Sequence, residues 1–177
     1  YELRPGLVLS GSLYQALASN FDDCERCKPS LLPPVRSDLA YYNRESDFGL
    51  NRLQLAWYAK PAENLYSRVT FGFLERMHAG VSTELLWKPV DSRLALGAEL
   101  NYTRQRDRDG FGFGEYDYGI ATGHVSAYYD LGGGYLGQVD VGRYLAGDVG
   151  ATFALDREFA NGVRLGAYAT FTDASAE

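Results

Sequence analysis

RLALGAELNYTRQRD, residues 93–107, is the stretch on which the fold turns. Leu94, Leu96, Ala98, Leu100 and Tyr102 make one row, and Arg93, Ala95, Gly97, Glu99, Asn101 and Thr103 make the other. A period of two is that of a strand, whose successive side chains leave on opposite faces. What lies against each row decides the class of protein.

The same two-row pattern recurs along the chain. In GVRLGAYATF (162–171), Val163, Leu165, Ala167, Ala169 and Phe171 oppose Arg164, Gly166, Tyr168 and Thr170. In HVSAYYD, Val125, Ala127 and Tyr129 oppose His124, Ser126, Tyr128 and Asp130; in LGQVDV, Val139 and Val141 oppose Gln138 and Asp140. In GATFALD, Ala151, Phe153 and Leu155 oppose Thr152, Ala154 and Asp156. Segments closed by turn residues place strands at 4–17, 50–60, 65–76, 80–88, 93–106, 118–130, 135–145, 148–158 and 162–172. No segment reads as a helix. Most connections are short, and two are long: 18–49 and 107–117. Asn161-Gly162 is the strongest hairpin signal, because both residues tolerate the positive φ of a type I′ turn.

Composition agrees. Twenty Gly and fourteen Tyr accompany a single Met, which favours pleated, tightly turned structure over helix. The formal net charge of −6 argues against nucleic acid as a partner. No run of eighteen apolar residues exists, which excludes a spanning helix. The chain begins at Tyr1 without an initiator Met or leader, and reads as a processed or excised part of a longer protein.

Alternation alone does not separate a soluble barrel or sandwich, whose apolar rows turn inward, from a membrane barrel, whose apolar rows turn out. Three features favour the membrane. The strands approach the roughly 9–11 residues that cross a bilayer at a tilt, against about five or six in soluble proteins. Aromatic residues gather near strand ends, at Trp57, Tyr58, Tyr66, Trp87, Tyr102, Tyr118, Tyr135, Tyr144 and Phe171, as an interfacial girdle requires. The other rows mix Gly with Glu, Asn, Gln, Asp and Arg, which suits a wet interior. The expected fold is therefore all-β: an antiparallel up-and-down transmembrane β-barrel of about eight to ten strands. Residues 1–177 form one barrel domain, or a portion of a larger or tandem barrel. Leu94, Leu96, Ala98 and Leu100 are predicted to meet lipid, and Arg104 to Asp107 to rise into an exposed loop.

LLWKPVDSRLALGAELNYTRQRD (85–107) and FGEYDYGIATGHVSAYYDLGGGYLGQVDVGRYLAGDVGATFALDREFANGVRLGAYATFTD (113–173) resemble the YjbH family of Gram-negative outer-membrane proteins linked to exopolysaccharide and capsule secretion. The similarity covers most of residues 50–173, and GQVDVGRYLAGDVGATF (137–153) is its most specific run. The resemblance implies a bacterial outer-membrane β-barrel that assists polysaccharide export or assembly. Its partners would be outer-membrane lipid, polysaccharide and other export components. It brings no catalytic residues to carry over, so no enzymatic role and no cofactor are expected.

Several constellations carry alternative chemistry. His124 and Ser126 lie two apart on one strand face, as in a His-x-Ser pair of an outer-membrane lipid A-modifying hydrolase, with Asp130 or Asp140 as the orienting acid. A nucleophilic Ser needs its base at about 3 Å, whereas i,i+2 positions lie nearer about 7 Å apart. The pair also falls on the polar row, away from lipid. The bland alternative is a polar lining of the lumen, for which Arg93, Glu99, Asn101, His124 and Ser126 are candidates. Gln138, Asp140, Asp156 and Arg164 complete that set, with cross-strand pairing as the simplest role. In the loop DRDGFGFGEYD, Phe111, Phe113, Tyr116 and, just beyond it, Tyr118 offer flat faces to sugar rings. Asp107, Asp109, Glu115 and Asp117 supply hard oxygens there but not the spacing of an EF-hand, and no metal is assigned. Cys24 and Cys27 are read as a structural loop disulfide, since no second pair completes a zinc set. A third alternative is a soluble ligand-binding β-barrel, in which Leu94, Leu96 and Leu100 would point into a packed interior.

Overall fold

The structure, a computed structural model, describes residues 1–15, 17, 35–36, 48–107, 109–114 and 117–174. Cys24, Cys27, Glu115 and Tyr116 lie outside the described residues, as does most of the 18–49 connection.

The strands are β1 (Glu2–Arg4), β2 (Leu7–Gln15), β3 (Phe48–Ala62), β4 (Leu65–Phe73), β5 (His78–Trp87), β6 (Leu94–Gln105), β7 (Gly119–Gly132), β8 (Tyr135–Arg143), β9 (Val149–Glu158) and β10 (Arg164–Thr172). Nine match the sequence reading; β1, three residues long, was not separated from β2 there. The sheet order is the chain order, β1 through β10, and the registered pairs are antiparallel. The architecture is an all-β up-and-down sheet. It differs from the expected barrel in one respect: closure requires a hydrogen-bonded pair between the first and last strands, and β1 and β10 end the order without one.

Local turn chemistry follows the glycines, with one correction. Gly133 and Gly134, between β7 and β8, have φ of 63° and 81°, the pair of positive angles that a type I′ hairpin demands. At Asn161-Gly162 only Gly162 is left-handed, with φ 82°. Gly162 N donates to Phe159 O at 2.9 Å, Phe159 N donates to Val163 O at 2.8 Å, and Val163 N donates to the Asn161 side chain at 3.1 Å. Asn161 spends its side chain on the backbone of its own turn, so the loop is a turn followed by a left-handed glycine rather than type I′.

The burial of the two rows is the central finding. Along β6, Leu96, Leu100 and Tyr102 are 43%, 69% and 57% exposed, while Ala95, Thr103 and Gln105 are buried. The same inversion appears at Val125 and Tyr129 in β7, Val141 in β8, and Phe153 and Leu155 in β9, all exposed. Among the described residues the buried polar side chains are Thr70, His78, Thr103, Gln105, Arg106, Thr122 and Ser126, against buried Ala56, Met77, Ala79, Ala95 and Ile120. Water-soluble domains bury branched aliphatic and aromatic residues; here those residues are outside. The packed interior expected of a soluble barrel is absent at Leu94, Leu96 and Leu100. Among the described residues no helix is long and apolar enough to cross a membrane.

The chain divides into two compact units. The first comprises 1–57, 69–82 and 101–121, and the second comprises 58–68, 83–100 and 122–177.

Candidate functional site

In the second unit, strand register gathers polar side chains on one face. Ser126 stands directly opposite Asp140, and Tyr128 opposite Gln138, across the β7–β8 ladder. Ser126 Oγ donates to Asp140 Oδ1 at 2.6 Å, and Gln138 Nε2 donates to both carboxylate oxygens at 3.0 and 2.8 Å. Gln138 and Asp140 are two apart on β8, so period two puts them on the same face. His124 Nδ1 bonds Glu99 Oε1 at 3.0 Å, while Tyr144 packs edge-on against the imidazole with centroids 4.7 Å apart. Tyr144 Oη in turn bonds Thr152 Oγ1 at 2.6 Å, and Thr152 bonds Thr170, its β10 partner, at 2.8 Å.

Glu99, His124, Ser126, Tyr128, Gln138, Asp140, Tyr144 and Thr152 line a cleft of about 280 Å³. His124 Nε2 is buried there without a hydrogen-bond partner among the described residues. Two carboxylates, an amide, hydroxyls, an imidazole and aromatic rings suit a hydroxyl-rich ligand: acids accept from sugar hydroxyls and rings cover apolar sugar faces.

The cleft unites Glu99, His124, Ser126, Gln138 and Asp140 of the predicted lining and leaves the others elsewhere. Arg93 Nε donates to Asp130 O at 2.6 Å and its guanidinium lies 5.4 Å from the Tyr129 ring centroid. Arg164 is exposed and pairs with Glu158. Asp156 fills the space that a Cβ on its partner Gly166 would take. Asn101 belongs to the first unit. Tyr128, Tyr144 and Thr152 were not singled out as lining residues in the sequence, although their polar rows and the hairpin register point to the cleft once strand pairing is known.

The His-x-Ser pair is not assembled as a nucleophile and base. His124 takes Glu99 as its acid, not Asp130 or Asp140, and the Ser126 hydroxyl is committed to Asp140. Catalysis through the pair would require the Ser126 hydroxyl to leave Asp140 for the imidazole; the Glu99 bond is the one an orienting acid makes.

The first unit holds a second polar centre, which sequence reasoning missed. Arg106, expected in an exposed loop, is fully buried. Its Nε donates to Gly110 O at 2.9 Å, Nη1 to Glu75 O at 2.8 Å, and Nη2 to Leu50 O at 3.2 Å; its guanidinium lies 4.2 Å from the Phe73 centroid. The correction has a physical cause: a five-donor guanidinium fork satisfies carbonyls from three separate segments at once. Nearby, Glu75 accepts from His78 Nδ1 at 2.8 Å and from Arg36 Nη2 at 2.9 Å. Burial raises the Glu75 carboxyl, but the hydrogen bonds from His78 and Arg36 outweigh it and hold the group below the usual carboxylate range.

In the 107–117 loop, backbone N–H groups engage two of the four acids, Asp107 and Asp109. Asp109 Oδ1 accepts from Phe111 N and Gly112 N at 2.8 and 3.1 Å, which holds its carboxyl below its usual range. Asp107 Oδ2 accepts from Gly114 N at 2.9 Å. Among the described residues no three His, Cys, Asp or Glu side chains are grouped to hold a metal. Phe111 and Phe113 are both exposed, Phe113 stacking on Phe73 with centroids 6.4 Å apart, and Tyr118 is half-buried.

The family model YjbH, described as exopolysaccharide biosynthesis protein YbjH, matches residues 1–177. The chain is 37% identical over 184 residues to a protein of Escherichia coli (strain K12) named "Uncharacterized lipoprotein YjbH". That match takes in 99% of this chain but 26% of the relative, so the chain spans about a quarter of the relative's length. No solved structure matches.

Proposed function

Because this chain belongs to the YjbH exopolysaccharide biosynthesis family, we propose that its sheet is part of the wall of an outer-membrane β-barrel that assists export or assembly of an exopolysaccharide without catalysing a reaction. The observation that carries this reading is the inverted burial of β6: a row of Leu and Tyr faces out while Thr103, Gln105 and the half-buried Glu99 lie within. A contiguous apolar face of that kind marks a membrane or partner surface. Strands of nine to fifteen residues from β2 to β10 match the bilayer requirement. An unpaired sheet edge is untenable in lipid, so further strands must complete the wall. The lipoprotein name of the relative supports membrane association. In this reading the cleft at Glu99, His124 and Asp140 meets the sugar chain, through carboxylates and aromatic rings rather than a nucleophile.

Paired nitroxide labels test the proposal. In a Cys24→Ser, Cys27→Ser background reconstituted into bilayers, a label at Leu96→Cys is expected to be relaxed by oxygen and shielded from a water-soluble nickel chelate. A label at Gln138→Cys is expected to give the reverse. Equal nickel accessibility at both sites, or a monomer stable in buffer without detergent, would sink the membrane reading.

A further inference from the structure

The first unit carries a groove on its outward, apolar side. Leu9, Leu53, Leu55, Phe71, Val81 and Phe113 line it, with a volume of about 700 Å³, within the range of small-molecule sites. It is more than a flat lipid-facing patch, for two reasons. Gly72 and Gly80 form its floor, where an added Cβ would meet the backbone oxygens of Leu53 and Tyr102, so neither position can carry a side chain. Phe113, coming back from the 107–117 loop, stacks on Phe73 and walls one side.

The groove also has one charged member. Arg104 lies on the outward row of β6, two positions beyond Tyr102, and is exposed. Unlike Arg106, it makes no hydrogen bond or ion pair among the described residues. A Cβ built on Gly119 would stand 3.3 Å from Arg104 Cγ and 3.5 Å from the Tyr102 hydroxyl. The Arg104 stem and the Tyr102 hydroxyl therefore flank one bare backbone position, and both residues line the apolar trough.

We propose that this groove binds an anionic phospholipid of the surrounding leaflet, its acyl chain along Leu53, Leu55, Phe71 and Val81 and its phosphate on Arg104 and Tyr102. The assignment rests on the membrane reading above. The occupant follows from complementarity: an apolar trough takes a hydrocarbon chain, and an uncompensated guanidinium takes a phosphate oxygen in a charge-assisted hydrogen bond. Neither a sugar nor a soluble anion uses both features.

The two Trp residues allow a test. Trp57 is exposed on the same face of β3 as Leu53 and Leu55, whereas Trp87 is exposed in the second unit. Single-Trp chains, Trp87→Phe and Trp57→Phe, are reconstituted in phosphatidylcholine bilayers doped with brominated phosphatidylglycerol. Trp57 is expected to be quenched at about fivefold lower phosphatidylglycerol fraction than Trp87, the fold-change equivalent to about 1 kcal/mol for one basic residue at an anionic surface. Arg104→Gln should bring the Trp57 curve onto that of Trp87, and Arg104→Lys should keep most of the preference. Val81→Phe, which fills the groove and leaves the charge, should also abolish it. Coincident Trp57 and Trp87 curves in the parent chain, or an unaltered Trp57 preference in Arg104→Gln, would overturn the lipid site while leaving the membrane wall intact. If bromolipid quenches neither Trp, both readings fall together.

Discussion

The polar cleft of the second unit and the Arg106 centre of the first are both hydrophilic interiors, yet they are satisfied in opposite ways. In the cleft, side chains bond to side chains across neighbouring strands: Ser126 to Asp140, His124 to Glu99, Tyr144 to Thr152 to Thr170. Around Arg106, one side chain bonds to backbone carbonyls of Leu50, Glu75 and Gly110. The first arrangement leaves about 280 Å³ of open polar space; the second leaves Arg106 no exposed surface. A ladder of paired side chains leaves its groups along open space, while a buried guanidinium fork ties down chain segments.

The sharpest way to break this contrast is at Arg106. Arg106→Ala leaves several carbonyls without their charged donor, each hydrogen bond to a charged group being worth about 1.5–3 kcal/mol. A loss of roughly 4 kcal/mol in unfolding free energy is expected, read by urea titration in detergent. Arg106→Lys keeps the charge but loses the fork and should fall between. A midpoint that does not move for either variant would mean that the centre is not structural.

Leu96→Arg comes next in size and probes the outward face rather than the interior. At a bilayer midplane an outward Arg costs about 2–4 kcal/mol, whereas the same change on a water-facing surface stays within about 0.5 kcal/mol. Folding yield in vesicles against folding yield in lipid-free buffer separates the two. A cost below about 0.5 kcal/mol in vesicles would argue that the Leu row meets something other than hydrocarbon.

Ser126→Ala has a smaller effect and sharpens the cleft. Asp140 keeps both bonds from Gln138, so the loss should be near about 1 kcal/mol. Lipid A acylation and polymer output should be unchanged, because the hydroxyl is held by a carboxylate and not by an imidazole. A change in lipid acylation would revive the hydrolase reading that the geometry disfavours.

These two centres also mark how far the sequence could be read. The alternation of Leu94, Leu96 and Leu100 with Gly97 and Glu99 carries the strand and both of its faces, because period two is a local property. Four of the nine proposed lining residues, His124, Ser126, Gln138 and Asp140, meet in the cleft for the same reason, since the short β7–β8 connection fixes their register; Glu99 joins them across the long 107–117 loop. Arg106 was not legible. Its acceptors at Glu75 and Leu50 lie 31 and 56 positions away and are backbone atoms, on which the side-chain pattern is silent. Barrel closure was beyond reach as well, since it depends on strand number and stagger and no single strand encodes either. At Asn161-Gly162 the dipeptide rule located the turn but not its type, because the Asn161 amide found a backbone N–H of its own.

The smallest expected effect concerns Glu75, beside Arg106, and asks whether the stabilising centre extends through ionic bonds. The Glu75 carboxyl lies below its ordinary value of 4.5 because bonds from His78 and Arg36 outweigh the cost of burial. A folded-state value below the unfolded one means that the unfolded chain takes up the proton first as pH falls. The contribution is therefore fully present above about pH 4.5 and is lost as pH drops through the lower folded value. Arg36 is largely exposed and Glu75 about a third exposed, so solvent screening keeps the contribution at roughly 1 kcal/mol or less. Glu75→Gln should lower stability slightly at pH 7 and flatten the decline between pH 5 and pH 3, measured as the difference in urea midpoint between the two proteins. If the difference is the same at pH 7 and pH 3, the carboxylate is not what holds His78 and Arg36, and stability at this centre rests on the guanidinium fork of Arg106 alone.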